Sequence, residues 1–358
     1  MNLNRQPSIS KKPVATMFAA YSLCLSVSLC LSFSIVQPSS AEEKSIADAD
    51  QLLLEGKLEA AEEAYKALTK SDSSGDAHAG LAVALAKQNF PTKIIEAEKL
   101  LKSAKEKYSE NINLMAAAGF VSYIHSRQVA SPARRDMYLE ASEALCKRAI
   151  KANPDTVIAH STLGLVKLAQ DDAEGAVEPL KKSAEMAQNP TNLTLLAHAL
   201  LRLDAKDKDA DTYISQVLAE DKKYFPAHLE KARILLAQGK NEDAFMQLRN
   251  VPRAERNGDW SLIEGDIYRR QGDGPGALAA WKESIRLDPH QPDAYQHMAE
   301  YYALRGDGEF AIAEMHNALE ILPNDMALRN SLAELAAPCP PRSLPALSPS
   351  TTMPTLTS

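Results

Sequence analysis

Between residues 42 and 337 the chain repeats one pattern of small, large apolar and polar positions about every 34 residues. Three stretches align directly. Thr162-Leu-Gly-Leu stands ahead of the run from Asp171 to Leu180, Ile263-Glu-Gly-Asp ahead of Gln271 to Trp281, and His297-Met-Ala-Glu ahead of Arg305 to Met315. Extending the register predicts eight units starting near 42, 75, 112, 157, 190, 225, 258 and 292, with a further helix over 326–337. Each unit reads as a first helix, a short turn and a second helix.

One position of the first helix is filled by Ala49, Ala82, Gly119, Gly164, Ala197, Ala232, Gly265, Ala299 and, in the last helix, Ala333. The facing position of the second helix holds Ala61, Ala97, Ser142, Ala176, Ala210, Ala244, Ala277 and Ala311. Two helices joined by a short turn approach closely only where small side chains let ridges enter grooves. Four residues further along the second helix comes a bulkier residue: Tyr65, Leu101, Cys146, Leu180, Ile214, Leu248, Trp281 or Met315. Gly56, Gly239, Gly272 and Gly306 mark turns that need a positive φ, and Pro154, Pro289 and Pro323 end second helices.

This period and these residues resemble the tetratricopeptide repeat (TPR) family. The resemblance implies an all-α solenoid, a right-handed superhelix of about eight helix-turn-helix units with a C-terminal capping helix at 326–337. It also implies a concave surface lined by first helices, on which protein or peptide segments bind. The family's groove positions fall on Phe120, Tyr123, Ser161, Leu165, Leu168, Thr194, His198, Leu201, Arg202, Leu229, Arg233, Leu262, Asp266, Arg270, Gln296 and Glu300, with Leu195 beside them. The first half of this strip is apolar and the second half carries both charge signs. The Lys/Asn set with which chaperone-docking members clamp a C-terminal carboxylate does not appear on it, nor does the asparagine ladder of the O-linked N-acetylglucosamine transferases.

Three units depart from the pattern. The first has Ser45 and Asp48 where large residues are expected, and the second carries three extra residues near Asn89. The third carries 11 extra residues near 126–135, which predict either a loop or two lengthened helices and a basic protrusion.

The ends differ from the repeats. Val14 to Val36 has no charge, follows Lys11 and Lys12, and precedes Ser39 and Ala41, the order of a secretory signal cleaved after Ala41. At about 1.5 Å per residue this stretch is also long enough for an uncleaved membrane anchor. Residues 338–358 contain six Pro and eight Ser or Thr, the composition of a disordered tail.

Charge and chemistry narrow the function. The chain has 358 residues, 40 Lys plus Arg and 47 Asp plus Glu; setting aside the two ends leaves 36 basic and 47 acidic residues, a net of −11. That sign excludes a binder dominated by phosphate contacts, so no nucleic-acid partner is expected, and a membrane is met only through the N-terminal stretch. Of four cysteines only Cys146 lies in the repeats, so no disulfide framework is expected there. Phosphate-loop, nucleophile-elbow, zincin and dinucleotide motifs are all missing. Asp207-Lys-Asp-Ala-Asp211 starts like a calcium loop but has Thr212 and Leu218 where glycine and glutamate are required. His78, His160 and His228 share one register position, about a repeat apart, and read as packing residues. Asn192-Leu-Thr194 is a formal glycosylation sequon.

The expectation is a chain without catalytic residues, metal or cofactor: an exported, periplasmic or extracellular TPR scaffold, monomeric because of its capping helix. It would gather partner segments for envelope assembly, secretion or polysaccharide export. The alternative is the non-catalytic, substrate-recruiting subunit of an enzyme complex such as a glycosyltransferase or peptidase.

Overall fold

The computed structural model describes residues 40–336, with side chains from Ser45 onward. The expected signal or anchor within 1–41 and the tail at 338–358 therefore fall almost wholly outside the described residues. Among those described there are only helices, arranged as consecutive pairs. The first three pairs are α1 (Ser40–Leu54) with α2 (Leu58–Leu68), α3 (Asp76–Lys87) with α4 (Pro91–Lys107), and α5 (Ile112–Ser126) with α6 (Pro132–Ala152). Next come α7 (Val157–Ala169) with α8 (Ala173–Met186), α9 (Pro190–Leu203) with α10 (Lys208–Glu220), and α11 (Phe225–Ala237) with α12 (Asn241–Arg249). The last pairs are α13 (Gly258–Gln271) with α14 (Gly274–Leu287) and α15 (Pro292–Leu304) with α16 (Gly308–Ile321), followed by the single α17 (Met326–Ala336). No described helix is long and apolar enough to cross a membrane.

Sequence dictates these boundaries locally. Side chains of Asn111, Asp172, Asn189, Asp207, Asn257, Asp273 and Asp325 accept hydrogen bonds from backbone N–H groups three residues on, each 2.7–3.0 Å long. Each cap satisfies one of the donors that a helix start leaves unpaired. At the mid-unit turns Gly56, Gly239, Gly272 and Gly306 have φ between 73° and 83°. Units two and four have no glycine there, and Asn89 and Asp171 adopt φ of 58° and 60° instead, residue types that tolerate the left-handed region better than most.

The packing pairs lie where the repeat register places them. The small positions of both helices are buried, as are the bulky residues beside them. A Cβ on Gly164 would sit 2.3 Å from Leu180, one on Gly265 2.5 Å from Trp281, and one on Gly119 2.7 Å from the Cys146 sulfur. The glycine in each pair is the space that the large side chain fills. Ala333 is the exception and is exposed, because α17 has no second helix to cover it.

The three histidines at one register position do more than pack. Each reaches back six residues to the loop before its helix: His78 Nδ1 to the Asp72 carboxylate at 2.7 Å, His160 Nε2 to the Pro154 carbonyl at 2.8 Å, and His228 Nε2 to the Lys222 carbonyl at 2.9 Å. They tie each inter-unit loop to the helix that follows it. The Asn192 side chain, part of the sequon, is buried and donates to the carbonyls of Ser183 and Ala187, which leaves no room for a glycan.

The extra residues of unit three lengthen the helices, α6 to 21 residues, instead of forming a long loop. They do not build a basic protrusion. Arg135 turns inward and donates to the Ala169 carbonyl at 2.7 Å. Arg127 donates to Asp288 at 2.7 Å, and Asp136 accepts from Asn324 at 2.9 Å. The chain therefore curls until unit three meets the loops that end units seven and eight.

Candidate partner-binding site

The inner face of the curl is divided in two. Its N-terminal part is an apolar trough of about 450 Å³ whose walls include Ile46, Leu53, Val83, Ala117, Phe120, Val157, Ile158, Ser161, Leu165 and Leu195. Lys87 borders the trough; burial pushes its ammonium pKa down, and it has neither an ion pair nor a hydrogen bond. Beyond Leu165 and Leu195, which line both spaces, the surface becomes a half-open chamber of about 290 Å³ with charged side chains in its walls, where unit three meets units seven and eight.

An array of arginines and carboxylates lines the chamber and its surroundings. Arg202 is shared between Asp171 at 2.8 Å and Asp293 at 2.7 Å. Arg233 is shared between Asp259 at 2.6 Å and Glu230 at 3.6 Å, and Glu230 meets His198 at 3.0 Å. Gln291 donates to Asp259 at 3.0 Å. Burial opposes the charge of Glu230, yet His198 and Arg233 hold its carboxyl below the usual range. Burial likewise opposes the charge of Asp259, and Arg233, His198 and Gln291 hold it low. The same carboxylates outweigh burial around Arg233 and hold its guanidinium firmly protonated. His290, by contrast, has its pKa pushed down by burial and by Arg135 and Arg127, against Asp288.

The groove positions divide accordingly. Phe120, Ser161, Leu165 and Leu195 line the trough. Tyr123, Leu168, Thr194, His198 and Arg202 line the chamber. Leu201, Arg233, Asp266 and Arg270 surround a neighbouring recess of about 260 Å³. Asp266 also accepts from the Trp281 indole at 3.2 Å and meets His297 at 2.8 Å, so it anchors core as well as surface. Glu300 is exposed and pairs with Arg269 at 3.0 Å, while Gln296 is half-buried outside all three spaces.

Two assignments are corrected. Leu229 and Leu262 are 6% and 1% exposed and belong to core clusters, Leu229 with Trp260 and Ile263, Leu262 with Trp281, Ala294 and Met298. A long apolar side chain at their shared register position packs in the seam between consecutive first helices, whereas the shorter Ser161 at the same position leaves the surface open. Other contributors were not legible at all. The α1 wall, with Ile46 and Leu53, and the pair Arg127 and Arg135 come to the site only through the superhelical path of the whole chain, which no local pattern records.

Among the described residues no group of three or more His, Cys, Asp or Glu is placed to hold a metal ion, and the one cysteine, Cys146, is buried beside Gly119. The trough and the chamber set apolar area next to fixed charges.

Comparison with known proteins agrees with the geometry. A family model described as "Tetratricopeptide repeat" matches residues 48–106, and one described as "TPR repeat" matches 265–306. No curated protein matches the chain in sequence. Among solved structures, a chain of the APC/C hetero-tetramer Cut9–Hcn1 aligns with a TM-score of 0.61 at 13% identity over 84% of this chain. The alignment spans 57% of that longer chain. NprR in complex with its cognate peptide NprX aligns with a TM-score of 0.51 at 14% identity, over 83% of this chain and 82% of that one. The human IFIT1 dimer with m7Gppp-AAAA gives 0.51 at 14%, over 79% and 69%. At such identities the likeness is one of fold. The paired helices, the matched repeats and these solenoid neighbours together make this chain an α-solenoid that carries tetratricopeptide repeats at 48–106 and 265–306.

Proposed function

We propose that this protein is an exported, non-catalytic scaffold that binds an extended segment of a partner protein along the inside of its solenoid. One observation carries the reading: an open apolar trough runs into a charged chamber, and Leu165 and Leu195 line both. Few residues dominate most interfaces, and they lie in well-packed, desolvated pockets. The signal-like stretch from Val14 to Val36 supports a periplasmic or extracellular location, with service in envelope assembly, secretion or polysaccharide export.

The test is a photo-crosslinking amino acid placed at Ser161 in the trough and, as a control, at the exposed Lys181 on α8. Cells carrying each are irradiated and fractionated, and the adducts are identified by mass spectrometry. The reading expects one dominant protein adduct from Ser161 alone, in the envelope or secreted fraction. Equal adducts from both positions contradict groove binding, and a cytoplasmic pool contradicts export. A stoichiometric glycosyltransferase or peptidase in the Ser161 adduct would make the protein that enzyme's recruiting subunit.

A further inference from the structure

We infer that the segment bound in the trough carries a single aspartate or glutamate among apolar residues, its side-chain carboxylate set on Lys87 at the trough's edge and its apolar neighbours along the floor. This rests on the groove reading above and names the chemistry that the bound segment must carry.

One face of α3 lays out both halves of that recognition. Asp76, Ala79, Gly80, Val83 and Lys87 all line the trough, and steps of three and four residues keep them on one side of the helix. The face is apolar in its middle and ends in a cation one turn past Val83, about 6 Å along the axis. At about 450 Å³ the trough lies within the roughly 300–1,000 Å³ of binding pockets, so an apolar segment fits beside the charge.

The state of Lys87 is a separate observation from the shape of the trough. Its side chain is half-buried and has neither an ion pair nor a hydrogen bond, and burial alone moves its pKa down, with no carboxylate near enough to oppose the shift. The arginines of the chamber are all engaged: Arg127 with Asp288, Arg202 with Asp171 and Asp293, and Arg135 with the Ala169 carbonyl. Drawing a charge out of water without a partner is unfavourable. A carboxylate brought by a guest supplies the missing charge and accepts the ammonium's N–H donors.

The trough's own carboxylates limit the guest to one acid. Asp76 accepts from Asn111 at 2.8 Å, Asn113 at 2.9 Å and Ser74 at 2.9 Å, and Asp50 accepts from the Tyr65 hydroxyl. Both are occupied by donors of the chain itself, so neither asks for a cation from the guest. Burial pushes the Asp50 pKa up against the Tyr65 hydrogen bond, and Asp76 adds to the rise, so more negative charge is disfavoured there. Asp76 stands about 16 Å along α3 from Lys87 by helical rise. A run of acids would reach these groups, whereas one acid at the Lys87 edge does not.

The experiment pans the full-length protein against a displayed library of short random peptides, in parallel with its Lys87→Met and Leu165→Glu variants. The inference expects wild-type binders to combine several apolar residues with one aspartate or glutamate. Lys87→Met is expected to keep the apolar residues and lose the acid, and Leu165→Glu to enrich few peptides. A synthetic copy of the dominant wild-type binder is then compared, by fluorescence anisotropy, with a version whose acidic side chain is replaced by its amide. The amide version is expected to bind the wild type about tenfold more weakly and to bind Lys87→Met as well as the acid does, with the variant's circular dichroism unchanged. Amidating the peptide's C-terminus is expected to change nothing. Apolar binders without an acid, lost in Leu165→Glu, overturn the inference and leave groove binding standing. An acid preference that survives in Lys87→Met overturns it too, as does loss of binding on C-terminal amidation, which would put a chain end on Lys87. Absence of any enriched peptide also overturns it, and the Ser161 crosslink then decides the groove reading separately.

Discussion

Arg127, capping the C-terminal end of α5, donates to Asp288, which caps α14, at 2.7 Å across 161 positions of sequence. With the bridge from Arg202 to Asp293 and that from Asn324 to Asp136, it closes the curl over the chamber. Partly exposed pairs of this kind contribute about 0–1 kcal/mol each and weaken in salt, so the closure is held by several small terms. Arg127→Glu combined with Arg202→Glu is expected to raise the radius of gyration measured by small-angle X-ray scattering, with no loss of helical circular dichroism. Salt at about 1 M, where the screening length is about 3 Å, acts in the same direction on the wild type. An unchanged radius in the variant means that other contacts set the curvature.

The seam between paired helices gives a prediction of the opposite kind. Ala277 is fully buried against α13, and Ala277→Leu inserts atoms where no space exists, for a loss of about 1–3 kcal/mol in chemical denaturation. Gly265→Ala, whose Cβ would stand 2.5 Å from Trp281, is expected to destabilise as well, while exposed Ala333→Leu is neutral. A neutral Ala277→Leu would break the assigned register.

Acid stability is expected to follow Glu62 and Glu143. Burial opposes the charge of Glu62, but Lys66, Lys93 and Gln88 together hold its pKa down at about 2; Lys147, then Lys167 and Gln170, hold Glu143 at about 2 against burial. Since the ordinary value is 4.5, both carboxylates bind protons less readily in the folded protein than in the unfolded one. Their stabilisation is complete above pH 4.5 and is lost as the pH falls from there toward 2. Melting temperatures taken across this window are expected to decline more steeply for the wild type than for a Glu62→Gln, Glu143→Gln double variant. Parallel curves would show that these two groups do not carry the acid sensitivity.

Burial pushes the Cys146 thiol up to about 12, with Gly119 packed on its sulfur. Thiolate, the reactive form, is then scarce at pH 8. Peptide mapping after iodoacetamide treatment is expected to find Cys146 unmodified in the native protein and modified once urea unfolds it. Modification in the native state would mean that α5 and α6 separate readily.

The repeat register was legible because each small–large pair, such as Gly164 with Leu180, is set within one unit and recurs with it. Part of the trough followed from the same periodicity, since Phe120, Ser161 and Leu165 stand at recurring positions. Leu229 and Leu262 were misplaced because side-chain length decides whether one position faces the groove or fills the seam, and the register is blind to length. Each histidine tie reaches back six residues to the preceding loop and was open to discovery, but two of the three pair with backbone carbonyls, which carry no residue signature. Arg127 and Asp288 left no trace, because their meeting depends on the summed rotation of three intervening units.

The most direct measurement compares capture of the partner identified at Ser161 by the wild type and by the Leu165→Glu, Leu195→Glu double variant, with helicity and melting recorded alongside. Both leucines are half-buried on the wall shared by trough and chamber, so two carboxylates there spoil the apolar surface without entering the seams. The account predicts that binding is abolished while the helical signal and the melting temperature stay near those of the wild type. Undiminished binding, or a collapse of the helical signal, would contradict it.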